Sequence, residues 1–118
     1  MWRVMPASDY MKRLMLDTIA SNINEMILGF DGTPATASDG AAGRPAVTIT
    51  PTVTVIDDST LMVEGTLGTE HSFSEPLKEV FIQLRGTSDF VPVSRHVISP
   101  VTKTSGNEVK IQLLIEVR

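Results

Sequence analysis

Two histidines, His71 and His96, are the residues best suited to acid–base or metal chemistry. A zinc or similar site needs three or four ligands at compatible spacing. No H-x-x-x-H or H-x-H pair occurs, and the chain has no cysteine, so a thiolate site and a disulfide framework are both excluded. His71, between Glu70 and Ser72, and His96, beside Arg95, read as surface histidines. No metal site is expected.

Nucleophilic catalysis needs an activated Ser, Cys or Thr. The chain lacks a G-x-S-x-G elbow, and its serines and threonines follow strand alternation and turns. Acidic residues gather at Asp57-Asp58 and at Glu64, Glu70, Glu75 and Glu79. A glycosidase sets two carboxylates ~5–10 Å apart in a cleft, usually beside stacking aromatics. Aromatics are only 5% of this chain, so these acids read as solvated strand faces and a turn. Gly29-Phe30-Asp31-Gly32-Thr33 has the glycines of a phosphate cradle but lacks the lysine of the Walker pattern. Lys103 and the arginines are dispersed. With a net charge of -4 and a pI near 5.0, they do not form a track for nucleic acid or anionic lipid. No apolar run approaches the ~20 residues of a membrane span. Met1-Trp2-Arg3-Val4-Met5-Pro6 holds no run of signal-peptide type, which predicts synthesis as a soluble chain. The expectation is a protein that is not an enzyme. No catalytic residue, cofactor, small-molecule substrate, nucleic acid or membrane is expected.

The remaining candidate is surface, and the elements must present it. At 118 residues, 42% of them hydrophobic, the chain fits one domain spanning 1–118 with a modest core. Ser8 or Asp9 caps a helix whose apolar residues, Met11, Leu14, Met15, Ile19 and Ile23, recur at three- and four-residue steps. The helix covers either 8–22, with 25–28 as a short strand, or 8–28, stopping at Gly29. Residues 29–45 form a loop of small residues with half of the chain's glycines. Such a segment has little to bury, so it should be mobile in the isolated chain and ordered by a neighbour.

Residues 46–118 read as β. Val47, Ile49, Val53 and Val55 alternate with Thr48, Thr50, Thr52 and Thr54, interrupted by Pro51, which predicts an edge or a bulge. Asp57-Asp58-Ser59 turns into a second strand, 60–67, closing a hairpin. A third strand spans 77–85, with Val80, Ile82 and Leu84 on one face and Glu79, Phe81, Gln83 and Arg85 on the other. A fourth covers 91–98, with Val91, Val93 and Val97 in phase, and the last has Val109, Ile111, Leu113, Ile115 and Val117 facing a core. The predicted fold is mainly β with an N-terminal helix, an antiparallel β-sandwich of five or six strands. The surfaces best placed to contact another chain are the loop, at Gly32, Thr33, Ser38, Asp39 and Arg44, and the threonine face at Thr48, Thr50 and Thr52.

Two stretches carry a resemblance. The first is Leu28-Gly29-Phe30-Asp31-Gly32-Thr33-Pro34-Ala35-Thr36-Ala37-Ser38-Asp39 followed by Gly40-Ala41-Ala42-Gly43. The second joins Lys78-Glu79-Val80 to Ser94-Arg95-His96-Val97-Ile98-Ser99-Pro100-Val101-Thr102-Lys103-Thr104-Ser105-Gly106 and the alternating last strand. Together they resemble a family of small tailed-phage structural proteins, found among tail-fibre, baseplate-associated and other appendage components. The resemblance runs from about Met11 to Arg118. It departs at Phe81, where glycine is usual, and at Ala42, where leucine is common. It implies a strand at 25–28, turn and packing roles for the motifs, and no catalytic residues. It also implies a virion component that assembles with other virion structural proteins and with its own copies. The alternatives are a capsid decoration or head-fibre protein, and a host-surface carbohydrate-binding module, which would need exposed aromatics in a groove.

Overall fold

The computed structural model describes residues 8–116; Val117 of the last strand lies outside them. The helix α1, Asp9–Asn22, starts at Ser8, whose Oγ accepts the N–H of Met11 at 3.1 Å. It ends before 25–28, so the shorter of the two expected helices forms. Asn24 supplies the physical reason. Its side-chain amide donates to the Arg85 carbonyl at 3.0 Å, and its Oδ1 accepts the Arg85 N–H at 2.8 Å. It thereby pairs like a strand residue and delivers the chain to β1.

Among the described residues seven strands follow: β1 Glu25–Gly29, β2 Pro45–Ile49, β3 Thr52–Asp57, β4 Thr60–Leu67, β5 Leu77–Arg85, β6 Phe90–Val101 and β7 Val109–Glu116. The chain is mainly β with one N-terminal helix and two antiparallel sheets, ordered β2-β1-β5-β6 and β3-β4-β7. The strand number exceeds the expected five or six for two reasons. Residues 25–28 belong to a strand, and Pro51 divides the threonine-rich segment in two. Pro51 is buried at the crossing from one sheet to the other, so β2 and β3 become edges of different sheets. The sheets meet closely at Gly65 on β4, where a Cβ would stand 2.5 Å from the Met26 sulfur and 2.7 Å from Ile49 Cδ1.

One core joins Leu16 and Ile23 to Met26, Leu28, Leu61, Val63, Leu67, Leu77, Val80, Ile82 and Ile111. The helix packs on β3 and β4. Its inward stripe is Leu16, Ile19, Ala20 and Ile23, with Leu16 only 1% exposed. Met11, Leu14 and Met15, expected on the core face, are about half exposed at 52%, 56% and 51%. Two apolar stripes share this helix, and the spacing alone could not select the one that packs. The β7 alternation holds: Ile111 is buried, Val109, Leu113 and Ile115 are partly buried, and Lys110, Gln112 and Leu114 are exposed.

β5 is covered on both sides. In the inner row Met26 and Leu28 of β1 lie beside Ile82 and Val80, with Ser94 and His96 across on β6. In the outer row Ile27, Phe81 and Arg95 are neighbours, and Gly29, Glu79 and Val97 form the next rung. The expected phase of β6 was incorrect. The register slips between Ile82/Gln83 and Ser94/Pro92, so Val91, opposite Leu84, falls out of phase with Val97, opposite Glu79; both valines are exposed, while Arg95 is buried on the outer face. Pro92 lacks the N–H that would hold an unbroken ladder there. Among the described residues, no helix is long and apolar enough to cross a membrane.

Candidate functional site

Glu79 is central to the best-formed polar site. It stands on β5 with no exposed surface, not on a solvated face as the sequence suggested. An isolated buried carboxylate is strongly disfavoured, and here both oxygens are fully engaged. Oε1 accepts from Arg95 Nε at 2.9 Å and from the Gly43 N–H at 2.7 Å. Oε2 accepts from the N–H groups of Asp31 at 2.8 Å and Arg44 at 2.9 Å. Burial pushes the Glu79 carboxyl up. The Arg44 N–H, the Arg95 guanidinium and the N–H groups of Gly43 and Asp31 outweigh it and hold the group below the usual carboxylate range.

Arg95 reaches across from β6 and is itself buried. Beyond Glu79, its guanidinium donates to the carbonyls of Thr33 and Asp31, each at 2.9 Å. Asp39 Oδ2 lies 3.5 Å away and Asp31 Oδ2 3.8 Å. The bond to Glu79 is the main reason the guanidinium is held more firmly charged than usual. A planar fork with several donors suits this arrangement, and a lysine would satisfy only part of it.

The loop, residues 30–44, is shaped to fit these two side chains. Asp31 Oδ1 accepts the Thr33 N–H at 2.8 Å in a local turn. Asp39 accepts from the N–H and the hydroxyl of Thr36, at 2.8 and 2.9 Å, and the Thr36 hydroxyl also meets Ser38 Oγ at 3.2 Å. These Thr33 and Thr36 bonds are the leading causes that hold the Asp31 and Asp39 carboxyls below the usual carboxylate range. Two glycines permit the close approach. A Cβ on Gly29 would fall 2.5 Å from the Arg44 carbonyl and 2.6 Å from Glu79 Oε2, and one on Gly43 would overlap the Asp31 carboxylate. The Phe30 N–H bonds the Arg44 carbonyl at 2.9 Å and closes the loop's base. The loop is therefore ordered by its own sheet, contrary to the expectation of a segment ordered only by a neighbour. Its small residues contribute little apolar area, and charge-assisted bonds to a buried ion pair supply what that area does not.

Gly32, Thr33, Ser38 and Arg44 are exposed on this loop, whereas Asp39 is partly covered as it faces Arg95. Arg44 lies 5.5 Å over the Phe30 ring and 3.0 Å from Glu75. Gly32, Thr33 and Arg44 border an open groove of about 600 Å³, together with Lys78 and Pro100. Thr48, Thr50 and Thr52 are exposed along the β2–β3 edges and do not line that groove.

Glu79 and Arg95 were missed as a pair. Opposite charges on the outer positions of adjacent strands were a signal, but the incorrect phase for β6 concealed it. The histidines also differ from the surface reading. His96 is partly buried, bonds Ser94 Oγ at 2.8 Å, and has its proton affinity lowered by burial. His71 is partly buried and stacks on Phe73 at a centroid distance of 6.3 Å. Lys103, read as one of the dispersed charges, has no exposed surface, and its ammonium donates to the carbonyls of His71, at 2.7 Å, and Thr104. Among the described residues no group of three or more His, Cys, Asp or Glu is placed to hold a metal ion.

With every Glu79 oxygen committed to donors and Arg95 committed to acceptors, the site acts as a latch that fixes a loop. No protein-family model, no curated protein and no solved structure matches the chain.

Proposed function

We propose that this chain is a structural component of a tailed-phage virion, assembling in the tail, neck or an appendage as an adaptor or fibre-associated subunit. The observation that carries the reading is the latch. The residues through which the sequence resembles small phage structural proteins include Gly29, Asp31, Thr33, Asp39, Gly43, Glu79 and Arg95. They converge on one buried cluster that stiffens the loop. A shared motif that builds a rigid surface loop fits a protein whose work is repeated contact with neighbours. Contacts made by pre-ordered loops avoid the entropy of ordering them on association. Gly32, Thr33, Ser38, Asp39 and Arg44 are the contacts proposed on the loop, and Thr48, Thr50 and Thr52 those on the adjoining edge.

Mass spectrometry of density-purified tailed particles, released from a host that carries the gene, tests this. The chain's peptides should copurify at fixed stoichiometry with tail proteins, and antibody labelling should place them at the tail or neck. Abundant chain in the lysate with none on purified particles would reject the proposal.

A further inference from the structure

The two sheets end in four strands, β2, β6, β3 and β7, and these edges are unequally protected. β2 has five residues, starts at Pro45 and borders a bulge at Leu28/Gly29. β3 has six, follows Pro51, and its register slips between Val55 and Asp57. β6 contains Pro92 and Pro100 and slips in two places. Prolines and bulges keep sheet edges from pairing with another chain. β7 has neither. Its eight residues pair with β4 in unbroken register from Glu116 opposite Thr60 to Val109 opposite Leu67, and among the described residues no strand lies on its other side. The core also stops short here. Leu113 and Ile115 face inward but are only partly buried, and the outward Leu114 is 69% exposed.

We propose that β7 is a self-association edge: two copies pair β7 to β7, antiparallel about a two-fold axis, joining their three-stranded sheets into one. The strand's own sequence selects a register. Inward residues must lie opposite inward residues, so permitted registers differ by steps of two. In one of them Leu113 meets Leu113 of the second copy on the inner face, with Ile111 opposite Ile115. On the outer face Gln112 then lies opposite Leu114, and Lys110 opposite Glu116, twice by symmetry. A shift in one direction sets Glu116 against the exposed Glu108, a like-charge pair. A shift in the other sets Leu114 against Leu114 and leaves Lys110 with no described residue opposite. Lys110 is available for the cross-copy pair. Its side chain is half exposed and its contact with Glu64 in the same copy is loose, at 3.7 Å. The inference rests on β7 alone and does not depend on the virion reading.

Sedimentation equilibrium on the full chain should show a dimer at micromolar concentration. Lys110→Glu or Glu116→Lys turns both attractions into repulsions and should weaken association about tenfold. The double variant should recover to within about threefold of the parent. Circular dichroism and melting of each variant at low concentration confirm that the fold persists. Register is read separately, because the chain has no cysteine of its own. Oxidising a mixture of the Gln112→Cys and Leu114→Cys chains should give a mixed disulfide dimer, with neither chain cross-linking to itself. A monomer at every concentration, single charge variants that associate like the parent, or self-cross-linking of either cysteine variant would overturn the proposal.

Discussion

The loop at residues 30–44 and the helix α1 exchange the roles their compositions suggest. The loop is rich in glycine and alanine, yet a buried ion pair and a set of backbone bonds hold it to the sheet. The helix is rich in methionine and leucine, yet Tyr10, Met11, Leu14 and Met15 remain largely outside the core. Apolar content therefore does not rank these regions by order. A segment without apolar area becomes ordered when its polar groups meet complementary buried partners. A segment with ample apolar area packs only as much as the surface beneath it allows.

The strongest way to break this comparison is to remove the cation beneath the loop. Arg95→Met leaves Glu79 buried with its charge uncompensated and should cost about 3–5 kcal/mol. Denaturant unfolding measures the loss, and amide exchange should accelerate across residues 30–44 before it does in β4. Uniform acceleration throughout the chain would mean that the loop and the sheets unfold together, and the latch would lose its separate identity.

On the helix, Leu16→Ala should destabilise by about 2–4 kcal/mol, because Leu16 is fully buried on the inner side of α1. Leu14→Ala, two positions away on the exposed stripe, should change stability by less than about 0.5 kcal/mol. Similar melting shifts for the two variants would contradict the rotated stripe.

Replacing Glu79 with Gln keeps the shape but puts a donor where two donors already point. The expected loss is about 1–3 kcal/mol, smaller than for Arg95→Met because no lone buried carboxylate remains. A variant as stable as the parent would show that the loop is held chiefly by other contacts.

Acid gives the gentlest test. Glu79, Asp31 and Asp39 all have lowered values in the fold, so the unfolded chain takes up protons first as pH falls. Their stabilisation is present above the ordinary values of 4.5 for Glu and 3.8 for Asp, and fades as pH drops through the folded values. His96 is also lowered, which favours its neutral form in the fold, so its contribution begins to decline below the ordinary 6.5. Melting temperature should fall slightly between pH 7 and 5.5, then more steeply below 4.5. His96→Gln should remove only the first decline. A flat profile down to pH 4 in the variant and the parent alike would dissociate His96 from stability.

Much of the fold was legible in the chain. A cap at Ser8 or Asp9, the 77–85 strand, the hairpin turning at Asp57-Asp58-Ser59 and the alternation of β7 follow from local chemistry, since period two and turn propensity act over a few residues. The latch was not legible as a site. Its residues appeared in the motifs, but as turn and packing signatures.

The amino-acid sequence by itself determined which residues share a strand face where the ladder is unbroken, where most turns fall, and that Pro51 must interrupt a ladder. Tertiary structure decided what covers each face. The outer face of β5 is closed by a loop that returns to it from β1, and Arg95 finds the Thr33 carbonyl across 62 positions of chain. The same holds for the helix, where contact with β3 and β4 selects Leu16 over Leu14. Periodicity records a residue's direction relative to its near neighbours. Burial depends on which distant segment occupies that direction, and that is fixed only when the sheets and the loop pack together.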